Sequence, residues 1–267
     1  MDAAFVEWST YLVLGAFAGT VAGLLGVGGG LIIVPVLVFI FTGHGFAPEV
    51  IVHLAVGTSL ATIVVTSISS TRAHHLHGAV LWPVFSRLTP GIIIGTLVGA
   101  GLADLMNATA LRTFFGVFEL LVALQMATSA RPAPHRQLPG WAGTSLAGSV
   151  IGGVSAIVGI GGGTLTVPFL VWCNVVMQKA VATSAACGLP IAIAGATGYL
   201  ITGLNETRLP EHALGYVYGP ALLGIILTSM LFAPLGARLA HRLPVPILKK
   251  VFAVLLAVLG IRMLVSG

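Results

Sequence analysis

Two short segments of an otherwise apolar chain carry residues whose type and spacing can do chemistry. "GLLGVGGGLIIVPVL" places Gly26, Gly28, Gly29 and Gly30 ahead of Pro35, and "SAIVGIGGGTLTVPFL" places Gly159, Gly161, Gly162 and Gly163 ahead of Pro168. A glycine cluster exposes backbone amides and removes side chains that would block approach. A short helix starting at such a cluster turns its N-terminal amides and its dipole toward that point, which favours an anion. Two such ends, supplied from opposite sides, make one small oxyanion site. Small residues also serve close helix packing in membranes, but two breaks at matched positions, each beside a proline, point to functional discontinuities. Gly28, Gly29, Gly30, Gly161, Gly162 and Gly163 are therefore expected to bind substrate through their backbone.

The next matched polar pair is "GTS" at 57–59 and "ATS" at 182–184. Thr58, Ser59, Thr183 and Ser184 are hydroxyl donors that would complete the coordination of an oxyanion without adding a full charge. For any one of them the competing reading is a hydroxyl bonded to its own helix carbonyl; the recurrence in both halves is the argument for binding.

Other polar residues stand singly. Glu119 lies mid-run in "FFGVFELLVAL", where an ionised carboxylate is costly and function is the default hypothesis. It reads either as a proton-carrying or charge-pairing group, or as a protonated or paired structural side chain; its counterpart in the second half is Leu256. Arg87, in "WPVFSRLTPG", reads as a cation snorkelling to an interface, with pairing to Glu119 or attraction of the anion as the alternatives. His74, His75 and His77 in "RAHHLHG" read as a titratable loop rather than a metal site. His53 and Lys179 flank the matched hydroxyl segments, where they either help draw anions in or sit as helix-end charges. Cys173 and Cys187 read as packing.

The elements that must position these residues follow from composition. Among 267 residues, 57% are hydrophobic and 7% charged, with mean hydropathy +1.06. A soluble domain carries roughly 25% charged residues, so most of this surface must face lipid. Long, unalternated apolar runs make the chain a helical membrane protein rather than a barrel. The formal charge of +5 does not signal nucleic acid here, because the basic residues sit in short breaks between runs and report topology. "MDAAFVEWSTYLVLGAF" lacks the positive start of a cleaved signal, so it is expected to stay. Catalysis finds no support: no nucleophile–base pair, metal-ligand spacing or dinucleotide fingerprint in a strand-to-helix context is found, and no cofactor or metal is assigned.

Apolar runs fall near 11–42, 50–70, 79–103, 110–128, 141–173, 178–202, 214–240 and 245–265, the first and fifth of them interrupted by glycines. Four runs precede the linker "SARPAPHRQLPG" at 129–140 and four follow. Besides the glycine and hydroxyl matches, "GAGLA" at 99–103 pairs with "GARLA" at 236–240, and "LRTFF" at 111–115 with "LKKVF" at 248–252. The chain is a duplicated unit: a first transmembrane repeat at 1–128, a cytoplasmic linker at 129–140 and a second repeat at 141–267.

Residues 11–25 and 31–42 are each too short to cross alone, since a crossing helix needs about 20 apolar residues. If both broken runs cross as single helices, the basic residues scatter over both sides. If both are re-entrant, one side collects Arg72, Arg131, Arg136, Lys179, Arg238, Arg242, Lys249 and Lys250, leaving Arg112, Arg208 and Arg262 opposite. Lys and Arg concentrate on the cytoplasmic side, so the re-entrant arrangement is favoured. It predicts an all-α polytopic protein of two inverted repeats, each with one glycine-broken hairpin plus three transmembrane helices. Both termini then lie outside. Eight transmembrane helices in two parallel repeats is the fallback.

Two halves, each opening on GxGGG-x4-P and followed by an [AG]TS-containing helix, resemble the TauE/SafE sulfite exporter family, also called the 4-toluene sulfonate uptake permease family, over almost the whole chain. The resemblance implies a multi-pass protein of the bacterial inner membrane that moves small sulfur-containing anions, sulfite or organosulfonates, with export as the expected direction. With no ATP-binding segment, the energy would come from an ion gradient, protons being the candidate, or flow would be passive. The reading is a secondary transporter working by alternating access; an anion channel, or a carrier of another small organic anion, is the alternative.

Overall fold

A computed structural model describes residues 3–25, 29–128, 136–240 and 245–265. The described residues form ten helices: α1 (Ala3–Leu25), α2 (Gly30–Gly43), α3 (Pro48–Leu76), α4 (Trp82–Leu105), α5 (Ala108–Thr128), α6 (Trp141–Val158), α7 (Gly163–Trp172), α8 (Met177–Gly203), α9 (Gly219–Ala240) and α10 (Val245–Val265). Helix is what long apolar runs must adopt in lipid, where every backbone group has to bond within its own segment. Six helices are long and apolar enough to cross a membrane: α3, α4, α5, α6, α8 and, through Phe5–Ala22, α1.

Both interrupted runs are split at their glycines. Their first limbs exceed the sequence-based expectation of segments too short to cross. α1 starts at Ala3 and has 23 residues, and α6 has 18, or about 35 and 27 Å at 1.5 Å per residue. The second limbs, α2 with 14 residues and α7 with 10, reach only about 21 and 15 Å, against a hydrocarbon core of about 30 Å. Each limb pair folds back on itself. Tyr11 near the start of α1 lies beside His44 just past the end of α2, with Oη and Nδ1 3.5 Å apart. The Arg136 amide ahead of α6 donates to the Trp172 carbonyl closing α7, at 3.3 Å.

Small residues set how the other helices pack. Gly15 and Gly19 of α1 lie against Ile225 and Ser229 of α9, and Gly91, Gly95 and Gly99 of α4 against Ser145, Ser149 and Gly153 of α6. In both contacts the numbers rise together, so these helices run parallel, with backbones close enough that a methyl group at those glycines would strike the partner. α3 and α8 run in opposite directions: Gly57 meets Tyr199, Leu60 meets Gly195, and Ser67 meets Gly188. α5 and α10 are opposed too, Gly116 meeting Leu264 and Leu120 meeting Gly260. α3 and α8 form the centre: 72% and 61% of their apolar windows are buried, against 28% in α1.

The seventh apolar run, expected as a helix from 214, opens instead with an antiparallel hairpin. β1 (Ala213–Leu214) pairs with β2 (Val217–Tyr218). The turn is anchored on α8, where the Tyr216 amide donates to the Tyr199 carbonyl at 3.1 Å.

Candidate functional site

α6 ends because Gly159 turns left-handed, at φ +77°, and α7 begins after Gly162, at φ +74°. Only glycine adopts that region without strain. The two turns set what the backbone can offer. Gly159 and Ile160 donate to the Ser155 carbonyl, and Leu165 and Thr166 to the Gly162 carbonyl. The four amides between, from Gly161 to Thr164, donate to no described acceptor. They are the orphan donors every helix start leaves, on residues of which Gly162 is buried and the other three half-buried.

Two side chains join them. The hydroxyls of Ser155 and Thr166 are fully buried, have no hydrogen-bond partner among the described residues, and lie 3.5 and 3.4 Å from where a Gly162 Cβ would stand. A buried hydroxyl without a partner costs about 1–3 kcal/mol, so the cluster is poised for an acceptor. Neither residue stood out in the sequence, because neither is matched in the other half: Ala22 and Ile33 occupy the corresponding positions, counting from Gly26 and Gly159. The signal was the departure from the repeat.

The first break is arranged differently. Gly29 precedes α2 in the right-handed region, at φ −73°, and its carbonyl accepts from Ile32 and Ile33. Gly30 is buried against the Gly159 carbonyl and the Ile160 Cα, so the two glycine breaks touch. Gly28 lies outside the described residues. Gly161 contacts Ile63, Gly163 opens α7, Pro35 is buried within α2, and Pro168 is half-buried within α7.

The matched hydroxyls hold the bundle together. Thr58 accepts from the Tyr218 amide at 2.9 Å and Thr183 from the Leu81 amide at 3.0 Å, so each ties down the segment entering a helix of the other half. Ser59 donates to the Gly159 carbonyl at 2.8 Å and thereby fixes the second break from α3. Ser184 is buried with no described partner. Glu119 is fully buried on the inner face of α5, and neither of its oxygens has a hydrogen-bond partner among the described residues. Arg87 is exposed near the start of α4, so the Glu119–Arg87 pair is not formed. Lys179 is exposed in the first turn of α8.

His53 departs from an interfacial helix-end charge: it is 4% exposed, stacked on Tyr216 and bonded through Nε2 to the Ala103 carbonyl. It lines a polar cavity of about 1220 Å³ together with Glu49, Asp104, Arg112 and Tyr216. At the rim, Arg208 grips both Glu206 oxygens at 2.8 Å, and these bonds hold the Glu206 carboxyl down at about 2.

Comparison with known proteins bears on this arrangement. The sequence profile of the family described as "Sulfite exporter TauE/SafE" matches residues 11–263. A "probable membrane transporter protein" of Haemophilus influenzae is 37% identical over 257 residues, covering 94% of this chain and 96% of that protein. The probable membrane transporter protein YunE of Bacillus subtilis is 28% identical, covering 96% and 97%. A probable membrane transporter protein of Methanocaldococcus jannaschii is also 28% identical, covering 95% and 94%. No solved structure matches. With the family's profile spanning nearly its full length, the chain belongs to the TauE/SafE family and is a multi-pass membrane transporter.

Proposed function

We propose that the protein is a secondary carrier that exports a small, singly charged sulfur oxyanion, sulfite in its monoanionic form or an organosulfonate, across the bacterial inner membrane. One observation carries the reading: four amides without a described acceptor, Gly161 to Thr164, and two unpartnered buried hydroxyls, Ser155 and Thr166, belong to the second break and the helix ends beside it. All six donors are uncharged. The cost of desolvating an ion rises with the square of its charge, so a site without a cation selects a monoanion over a dianion such as sulfate. Helix-start amides and hydroxyls donating to an anion make hydrogen bonds of the stronger, charge-assisted kind.

Alternating access would operate between two inverted repeats, 1–128 and 141–267, joined by a cytoplasmic linker at 129–140. The opposed directions of the equivalent pairs α3/α8 and α5/α10 support inversion; parallel halves would run each pair the same way. The parallel run of α4 and α6 supports placing the 77–81 and 136–140 segments at one end of the bundle. By the distribution of Lys and Arg that end is cytoplasmic and both termini are outside. α1–α2 and α6–α7 would be hairpins whose short second limbs return from mid-membrane, as in carriers that hold substrate at discontinuous helices. Gly28 to Gly30 and Gly161 to Gly163 would line the site, with Thr58, Ser59, Thr183 and Ser184 around it and protons as the coupling ion.

The test is flux of sulfite, sulfate and several sulfonates in proteoliposomes, with and without a pH gradient. Saturable movement of sulfite and sulfonates, with sulfate slow, is expected. Unsaturable flux at channel-like rates would replace the carrier with a channel, and no flux of any of these anions would overturn the reading.

A further inference from the structure

The 1220 Å³ cavity opens at the end of the bundle where α3 and α5 begin and α4 and α8 end. No described residue of either glycine break lines it. It is separated from them by the Tyr216 carbonyl packed on Gly57 and by the Ser59 bond to the Gly159 carbonyl. His53 forms part of its wall and stands on the same helix as Ser59, about 9 Å away along the axis.

The hydrogen bonding of His53 fixes its tautomer. The Ala103 carbonyl can only accept, so the Nε2 that lies 3.0 Å from it must carry the hydrogen. Nδ1 is then a bare lone pair, and it is buried with no partner among the described residues. A proton arriving from cavity water would form an Nδ1–H bond without disturbing the bond to Ala103. The resulting imidazolium would lie stacked on the Tyr216 ring, with centroids 5.1 Å apart and planes 30° from parallel, where ring electrons favour a cation.

Charge supplies the second argument. The titratable and charged groups sharing the cavity are Glu49 of α3, Asp104 of α4, Arg112 of α5, Glu206 and Arg208 of the connection after α8, and Tyr216 of the hairpin turn. Glu206 and Arg208 neutralise one another. Two carboxylates then face one guanidinium, and with neutral His53 the cavity repels an anion. Protonation of His53 cancels that excess.

We propose that His53 is the proton-binding site that couples protons to anion movement, taking its proton at Nδ1 and letting the anion pass through the cavity once it is charged. The proposal rests on the cargo being an anion. Glu119 is also buried and unpartnered among the described residues, but it does not line the cavity, and Leu256 stands at its counterpart position.

Two measurements on the full-length protein test it. In lipid nanodiscs, nitrogen NMR of labelled histidine, assigned with His53→Gln, should show the Nε2–H tautomer at high pH and proton uptake at Nδ1 as pH falls. In proteoliposomes, ethanesulfonate, which stays ionised throughout, should move at a rate that follows the pH gradient. His53→Gln, whose amide can still donate to Ala103, should abolish that dependence, as should His53→Asn, while Glu119→Gln keeps it. An Nδ1 that stays bare wherever flux follows the gradient, or a His53→Gln flux that still follows it, overturns the proposal. Should the wild type move no sulfonate at all, the transport reading falls, and the nitrogen titration alone decides whether His53 takes the proton.

Discussion

The two glycine breaks share their spacing and their proline, yet they offer different chemistry. At the second, left-handed Gly159 and Gly162 open a run of four unpartnered amides, and the Ser155 and Thr166 hydroxyls point into the same space. At the first, Ala22 and Ile33 replace those hydroxyls, Gly29 is right-handed, and Gly30 is pressed against the second break's own carbonyl. Both helix starts leave amides without a described acceptor, so what differs is the side chains, two buried hydroxyls at the second break against Ala22 and Ile33 at the first. Duplication built the frame twice, and divergence of two side chains left the hydroxyls on one side.

The strongest way to break this contrast is to fill each glycine in turn. A Gly30→Ala methyl would meet backbone, which cannot yield as a side-chain tip can. It should cost about 1–3 kcal/mol, as overpacking does, read as a fall in the thermal unfolding midpoint. Gly162→Ala pays about 1–2 kcal/mol for a left-handed alanine, displaces the Ile191 methyl and occupies the space between the two hydroxyls. Its flux should vanish even where folded protein is recovered. If Gly162→Ala transports normally, the donors belong elsewhere.

Removing the donors themselves sharpens the contrast, because the two readouts should move in opposite directions. A hydrogen bond to a charged partner contributes about 1.5–3 kcal/mol, so Ser155→Ala or Thr166→Val should lower sulfonate kcat/KM roughly ten- to a hundredfold. Each substitution also removes an unpartnered buried hydroxyl, so the unfolding midpoint should hold or rise. A fall in stability with unchanged flux would make both hydroxyls structural. Smaller still, Ser59→Ala loses one neutral hydrogen bond to Gly159, about 0.5–1.5 kcal/mol, with a modest loss of flux from a loosened second break. Least of all, Ala22→Ser with Ile33→Thr should leave flux within about twofold, because Gly30 rests on the Gly159 carbonyl and Ile160, which close that helix start to an anion.

Much of this was legible in the residues. Too few charges to coat a globule identified a membrane protein, and the helices break where the glycine clusters stand. The first limb, 11–25, was misjudged as too short, since α1 starts at Ala3 and takes in Glu7, Ser9 and Thr10, polar residues that hydropathy alone leaves out. The hairpin at 213–218 was hidden for a related reason: Tyr216, Val217 and Tyr218 are buried and apolar enough to read as the start of a helix. The matched hydroxyls were found as a pair, but their partners were not. Thr58 meets Tyr218, and Thr183 meets Leu81, more than a hundred residues away in each case.

By itself the sequence determined the solvent, the duplication and the positions of the breaks, because these depend on composition, period and backbone freedom along the chain. Only the tertiary structure decided that the Ser155 and Thr166 hydroxyls go without a partner, that Gly30 rests on Gly159, and that His53, in the wall of a cavity, keeps a bare buried nitrogen. Whether a polar atom is satisfied depends on what packs against it, and in this bundle those partners come from the opposite half.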